Sequence, residues 1–122
     1  LSTLPGEPHG LGLLMAEAVL ALDGCRCISL GVQTPVWDIV RAAMAFRSEV
    51  VALSYTGCTK PQQTANGLTE LRDKLPPTVA LWAGGNAPVL RRRATQGVLV
   101  LSSLHEVAGA LAKWHEGIAA AP

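Results

Sequence analysis

The sequence predicts a three-layer α/β/α domain built on a five-stranded parallel sheet. Two observations predict it: short apolar or β-branched runs alternate with helix-like stretches along the whole chain, and the joints between them carry helix start and stop signals. A third is size, since 122 residues with 49% hydrophobic and 16% charged side chains supply one core and one domain. Right-handed crossovers then place helices on both faces of the sheet.

The predicted strands are Leu1 to Leu4, Arg26 to Leu30, Val50 to Ser54, Thr78 to Trp82 and Gly97 to Leu101. Between the first two, Gly10 to Leu22 reads as a helix closed by Asp23-Gly24, with glycine where a left-handed residue is needed. Thr34 as N-cap and Pro35 at the first helical position open a second helix that continues to about Phe46. Thr59-Lys60-Pro61-Gln62 forms a capping box for a third helix, which ends near Lys74 before Pro76-Pro77. A short fourth helix is expected from Ala87 to about Thr95. Ser103-Leu104-His105-Glu106 is another capping box, and the last helix runs from it toward Gly117.

Charge and cysteine usage narrow the function classes. Ten Lys and Arg against nine Asp and Glu leave a formal net charge of +1, too little for a chain that binds nucleic acid by itself. The longest apolar stretch, Gly10 to Leu22, is broken by Glu17 and falls short of the roughly 20 residues that span a bilayer. Cys25, Cys27 and Cys58 form no regular framework and read as free thiols of a soluble, cytoplasmic protein. The start at Leu1, directly on a strand, reads as a domain taken from a longer chain.

On parallel sheets ligands bind at the carboxyl ends of the strands, which selects the loops Pro5 to Gly10, Gly31 to Thr34, Tyr55 to Lys60, Ala83 to Pro88 and Ser102 to Leu104. The first, Pro5-Gly6-Glu7-Pro8-His9-Gly10-Leu11-Gly12, holds Glu7 and His9 two residues apart. A carboxylate beside an imidazole fixes its tautomer when the other ring nitrogen binds a metal; His9 as a helix cap is the alternative, and the motif alone leaves both open. Gly10-Leu11-Gly12 lacks the third glycine and the acidic partner of a dinucleotide fingerprint. Ser54-Tyr55-Thr56 ends the third strand with no phosphoacceptor Asp. Gly84-Gly85 ends the fourth, where paired glycines admit a group too close to the backbone for a Cβ, or make a tight turn.

Taken together, Glu7-Pro8-His9-Gly10-Leu11-Gly12, Ser54-Tyr55-Thr56 and Gly84-Gly85, separated by about forty and just under thirty residues, resemble the cobalamin-binding domains of methionine synthases, mutases and B12 sensors, with their Asp-x-His-x-x-Gly, Ser-x-Leu and Gly-Gly motifs. The resemblance covers essentially the whole chain and implies a flavodoxin-like (Rossmann-like) fold. Glu7 replaces the family's Asp, keeping a carboxylate; Thr56 replaces the Leu, altering the tail pocket. Pro-Gly-Glu-Pro-His with Leu30-Gly31-Val32-Gln33-Thr34-Pro35 looks most like the sensor domains of MerR-type transcription regulators.

The resemblance implies that adenosylcobalamin or methylcobalamin binds with its benzimidazole off the cobalt and His9 as lower axial ligand. Glu7 would orient His9, Ser54 would bond the displaced nucleotide tail, Gly84 and Gly85 would let that tail lie on the sheet, and Gly12 would let the first helix start beside it. Gln33, Thr34 and Thr56 are added as polar contacts from their loop positions. An upstream helical bundle would cover the upper corrin face, and DNA would be bound only through an upstream winged helix-turn-helix domain of a homo-oligomeric regulator, with no membrane partner. The first helix, with Leu11, Leu13, Leu14, Met15, Val19, Leu20 and Leu22 around more than one face, fits such cover; the alternative is a helix whose apolar side chains simply meet the sheet.

The competing class is a cobalamin carrier of a methyltransferase or mutase; a third is a degenerate domain that serves only protein contacts. No loop carries a nucleophile-base pair or paired carboxylates, so the chain is read as non-catalytic. Cys25 and Cys27 are read as structural thiols, Cys58 as an inert loop residue, Arg91-Arg92-Arg93 as a solvated run, and His105 and His115 as surface residues. Trp37, Trp82 and Trp114 are assigned to packing, with Trp82 close enough to Gly84-Gly85 to line a tail groove.

Overall fold

Three parallel strands, β1 (Val50–Tyr55), β2 (Ala80–Gly85) and β3 (Val98–Leu101), lie side by side in that order. The structure is a computed structural model and describes residues 1–4, 10–55, 60–85, 97–101 and 103–120. Among the described residues four helices accompany the strands: α1 (Leu11–Leu22), α2 (Val36–Ala45), α3 (Pro61–Lys74) and α4 (Leu104–Ala120). The expected helix from Ala87 to Thr95, the cap at Thr59, Cys58 and Arg91-Arg92-Arg93 lie outside the described residues, as does the His115 side chain.

The regular sheet has three strands among the described residues, where five were expected. The two missing ones are in place but not regular. Ser2 forms an isolated parallel bridge to Leu53, its amide donating to Ala52 O (3.0 Å) and its carbonyl accepting from Ser54 N (3.2 Å). On its other side, Leu1 N donates to Ile28 O at 3.1 Å and Leu1 O accepts from Leu30 N at 3.0 Å. Beyond Leu1 the bonding passes from strand to loop. Thr3 O accepts from Thr34 N at 2.8 Å, the Thr3 hydroxyl accepts from Gln33 N at 2.7 Å, and Ser2 Oγ donates to Thr34 Oγ1 at 2.7 Å. Buried hydroxyls replace the ladder there.

Strand β2 runs to Gly85, past the expected end at Trp82, because Gly84 and Gly85 continue the ladder opposite Ser54 and Tyr55. Strand β3 pairs Val98 to Leu101 with Leu81 to Gly84. Alternation sends successive side chains to opposite faces. Val51, Leu53, Tyr55, Leu81 and Ala83 join Ile39, Val40 and Ala43 of α2 and Leu68 and Leu71 of α3 in the larger core. Ala52 and Trp82 face the other way, into a smaller core with Leu20 of α1 and Val107 and Leu111 of α4. The result is a three-layer arrangement.

Helix ends follow the local chemistry, but the second and third helices each start one position late, the third with Lys60 rather than Thr59 as its cap residue. Gly24, at φ +86°, closes α1 as expected, with Cys25 N donating to Leu20 O and Gly24 N to Ala21 O, both at 3.0 Å. Helix α2 starts at Val36 with Pro35 as its cap residue, one position later than expected; the Thr34 hydroxyl is engaged with Ser2 instead of the first-turn amides. Ser103 Oγ accepts from Glu106 N at 3.3 Å, half of the expected capping box. Trp37 is not core: it is 55% exposed with the Lys74 ammonium 5.2 Å from its ring centroid. Leu11, Leu14, Met15 and Leu22 of α1 are exposed as well. No described helix is long and apolar enough to cross a membrane.

Candidate functional site

At the carboxyl ends of β1 and β2, the smaller core opens into a cavity of about 220 Å³ between the sheet, α1 and α4. Its floor comes from Ala52 and Ser54 of β1, Trp82, Gly84 and Gly85 of β2 and Leu101 of β3; its walls come from Gly12, Met15 and Ala16 of α1 and Ser103 and Val107 at the start of α4. Four expected site residues, Gly12, Ser54, Gly84 and Gly85, meet there although three sequence-distant segments supply them.

Their contacts explain the residue types. A Cβ on Gly12 would stand 2.8 Å from Ser54 Oγ, so glycine lets the first turn of α1 reach β1 while leaving that hydroxyl unobstructed. Gly84 pairs with Ser54 on one side and Leu101 on the other, and its Cβ would lie 3.1 Å from the Leu101 carbonyl oxygen. Gly85 adopts φ +119°, a conformation essentially reserved for glycine, and a Cβ there would run into the Tyr55 carbonyl. The Ser54 hydroxyl makes no hydrogen bond among the described residues. The lining is therefore mostly apolar, with a free hydroxyl beside a floor cleared of side chains: a slot that accepts a flat ring and one polar group.

Other expected site residues are elsewhere. Thr34 bonds Ser2 Oγ and, at 3.4 Å, Leu30 O; Gln33 sits in a left-handed conformation at φ 55° with its amide tied to Thr3. Neither lines the cavity. Glu7, His9 and Thr56 lie outside the described residues. Ala16, Leu101 and Val107 line the slot without having been singled out, and Met15, read from the sequence only as part of the apolar surface of the first helix, lines it too; their only signal in the sequence is the apolar face of a helix or strand.

Among the described residues no group of three His, Cys, Asp or Glu side chains could hold a metal ion. Burial pushes the Cys25 thiol up, aided by Asp23 and Glu49, and pushes Cys27 up, aided by Cys25 and Glu17. Both are free thiols, held in the protonated and weakly nucleophilic form.

No family model matches the chain. Over 109 residues it is 34% identical to the HTH-type transcriptional repressor CarH of Myxococcus xanthus, an alignment covering 89% of this chain and 35% of the repressor. The chain thus spans about a third of the length of that curated relative. Its fold superposes on the crystal structure of a novel cobalamin-binding protein from Desulfitobacterium hafniense DCB-2 with a TM-score of 0.74 and 19% identity, covering 93% of this chain and 56% of that one. That likeness is one of fold. The resemblance drawn from the three motifs is met by both: a helix-turn-helix repressor as relative, and a fold shared with a cobalamin-binding protein.

Proposed function

We propose that this domain binds cobalamin and serves as the sensory module of a B12-dependent transcriptional regulator. The observation that carries the reading is the convergence of Gly12, Ser54, Gly84 and Gly85 on one apolar slot at the carboxyl ends of the strands. The chain fits the cofactor's nucleotide tail: the slot suits a flat base, the Ser54 hydroxyl is free to bond the tail, and the glycines leave the space a Cβ would fill. His9, in the Pro5 to Gly10 segment of the sequence, is the proposed lower axial ligand in the base-off form. Neutral imidazole is the ligating state, and Glu7 orients the ring and raises its donor strength. Gln33, Thr34 and Thr56 remain proposed polar contacts. When bound, cobalamin, as adenosylcobalamin or methylcobalamin, would supply the cobalt centre that His9 holds.

The rest of the reading concerns the longer chain. The exposed Leu11, Leu14 and Leu22 of α1 are the face an upstream helical bundle would cover, and DNA would be bound by an upstream helix-turn-helix domain of a cytoplasmic homo-oligomer. The sheet is proposed to be five-stranded in that setting, with the 28–30 and 1–4 runs paired in regular ladders. The identity to a repressor favours the regulator over an enzyme's carrier domain.

Titrating the full-length protein with hydroxocobalamin, followed by absorbance, tests the proposal. The expected result is saturable binding with the spectrum of histidine-ligated, base-off cobalt; a spectrum identical to free hydroxocobalamin at all protein concentrations overturns it. Gly12→Ala is expected to weaken binding about tenfold by crowding Ser54, while stability holds or rises because alanine is the better helix former by about 1 kcal/mol.

A further inference from the structure

Beside β1 the sheet has a gap. In a parallel strand the N–H and C=O of one residue point to the same neighbouring strand, and those of the next residue to the opposite one. Ser2 N donates to Ala52 O and Ser54 N to Ser2 O, while Ala80 N donates to Glu49 O, so the even-numbered residues of β1 face the 1–4 run. Across that run, Leu1 N donates to Ile28 O and Leu30 N to Leu1 O. Two residues earlier both ladders stand open. Among the described residues, Ala52 N and Val50 O on one side and Ile28 N and Arg26 O on the other have no backbone partner. Space accompanies the unpaired groups: a cavity of about 450 Å³ reaches Leu20, Leu111 and Trp114 on the α1–α4 face, and one of about 30 Å³ reaches Ile39 and Ala43 on the α2–α3 face. Leu1, Ile28, Phe46, Ser48 and Val50 line both, so these are two openings of one gap between the 24–28 and 46–50 segments.

We infer that the gap is a docking surface for an extended apolar segment, and that its occupant is the run of the full-length polypeptide leading into Leu1. The inference rests on the longer-chain part of the reading above and not on cobalamin. Leu1 and Ser2 fix direction and register. The residue just before Leu1 pairs with Val50 and Ala52, and the one before that with Arg26 and Ile28, which gives each open backbone group the partner it needs. Leu1 packs in the smaller core and Leu4 in the larger, so alternation sends the first of these side chains to the α2–α3 face and the second to the α1–α4 face. The 30 Å³ space takes a small apolar side chain, and the 450 Å³ space takes a large one. Leu1, Leu20, Ala52 and Trp82 line the slot as well, so the segment stands across one wall from the ligand.

The test is amide-resolved hydrogen exchange on the full-length protein without corrinoid, with Ser54, whose amide is bonded to Ser2 O, as the reference. Ile28 and Ala52 are expected to exchange within about tenfold of Ser54; exchange about 100-fold faster or more, as for amides open to solvent, overturns the inference. Proline in place of the residue just before Leu1 has no N–H for Val50 O. It is expected to speed exchange at Ala52 at least about tenfold, whereas alanine there leaves it unchanged. Should the proline variant not fold, the wild-type rates decide. Protection that falls on dilution assigns the gap to a second copy, and protection untouched by proline assigns it to another occupant; either result overturns the inference. The titration with hydroxocobalamin keeps the two readings apart. Protected amides in a protein that holds no corrinoid leave this inference standing and overturn the cobalamin reading, and open amides in a protein that holds it do the reverse.

Discussion

Replacing His9 by alanine is expected to abolish the histidine-ligated cobalt spectrum and to weaken cobalamin binding by about 100-fold or more, because a direct ligand is worth more than the outer-shell partners whose loss costs about 10- to 100-fold. Glu7→Ala tests the outer partner separately. It should retain the ligated spectrum at saturation and lose about tenfold in affinity, since His9 would still reach cobalt with its ring less well oriented. Absorbance titration of the three proteins separates the roles. Equal affinity and identical spectra for wild type and His9→Ala would refute axial ligation, and a Glu7→Ala variant as impaired as His9→Ala would assign the carboxylate a larger part than orientation. The slot residues furnish a control in the other direction, because cobinamide, which has no tail, still presents cobalt to His9.

The second large effect belongs to Gly85 and is a matter of stability. At φ +119° an L side chain costs about 1 to 3 kcal/mol in backbone strain alone. Here the added Cβ also meets the Tyr55 carbonyl, on the neighbouring strand of the central ladder. Neither strand can retreat without breaking pairs between them. Gly85→Ala should therefore destabilise the fold by about 3 kcal/mol or more, a large part of the 5 to 15 kcal/mol typical of a domain, and lower the thermal midpoint by about 10 to 20 °C. Gly84→Ala is the comparison: its Cβ would stand 3.1 Å from the Leu101 carbonyl oxygen, tight but without a positive φ. Calorimetric unfolding of the two should rank Gly85→Ala well below Gly84→Ala, and the reverse order would refute the strain argument.

The positions of β1, β2, β3 and of the helix ends at Gly24 and Ser103 were legible in the sequence because each rests on local chemistry: apolar runs, a left-handed glycine, a hydroxyl three residues before an amide. The slot was legible in part. Gly84 and Gly85 could be named because paired glycines at a strand's carboxyl end carry their own physical reason, whereas Gly12 and Ser54 were named through the resemblance of their motifs. Thr34 could not be placed, since its hydroxyl could serve a helix cap or a ligand, and only the tertiary position of Ser2 turns it to the strand instead. Trp37 misled for a similar reason. An indole is usually packed, but position 37 lies on the outer side of α2, where Lys74 covers the ring without burying it. The partial pairing of the 28–30 run was also out of reach, because it depends on how the backbone bonds of Thr3 are divided between strand and loop.

The two faces of the sheet are unequally filled. The α2–α3 side holds the larger set of buried side chains and only a small cavity of about 30 Å³, while the α1–α4 side has its apolar interior interrupted by the slot. A molecule that occupies this space becomes part of the interior, so occupancy and folding are thermodynamically linked. At a concentration one hundred times its dissociation constant, such a ligand adds about 2.7 kcal/mol to the folded state. The half of the domain around α1 and α4 would then be the half that opens first when empty. A cell that degrades opened chains would convert the supply of that molecule into the lifetime of the protein itself, a second record of the ligand written in abundance.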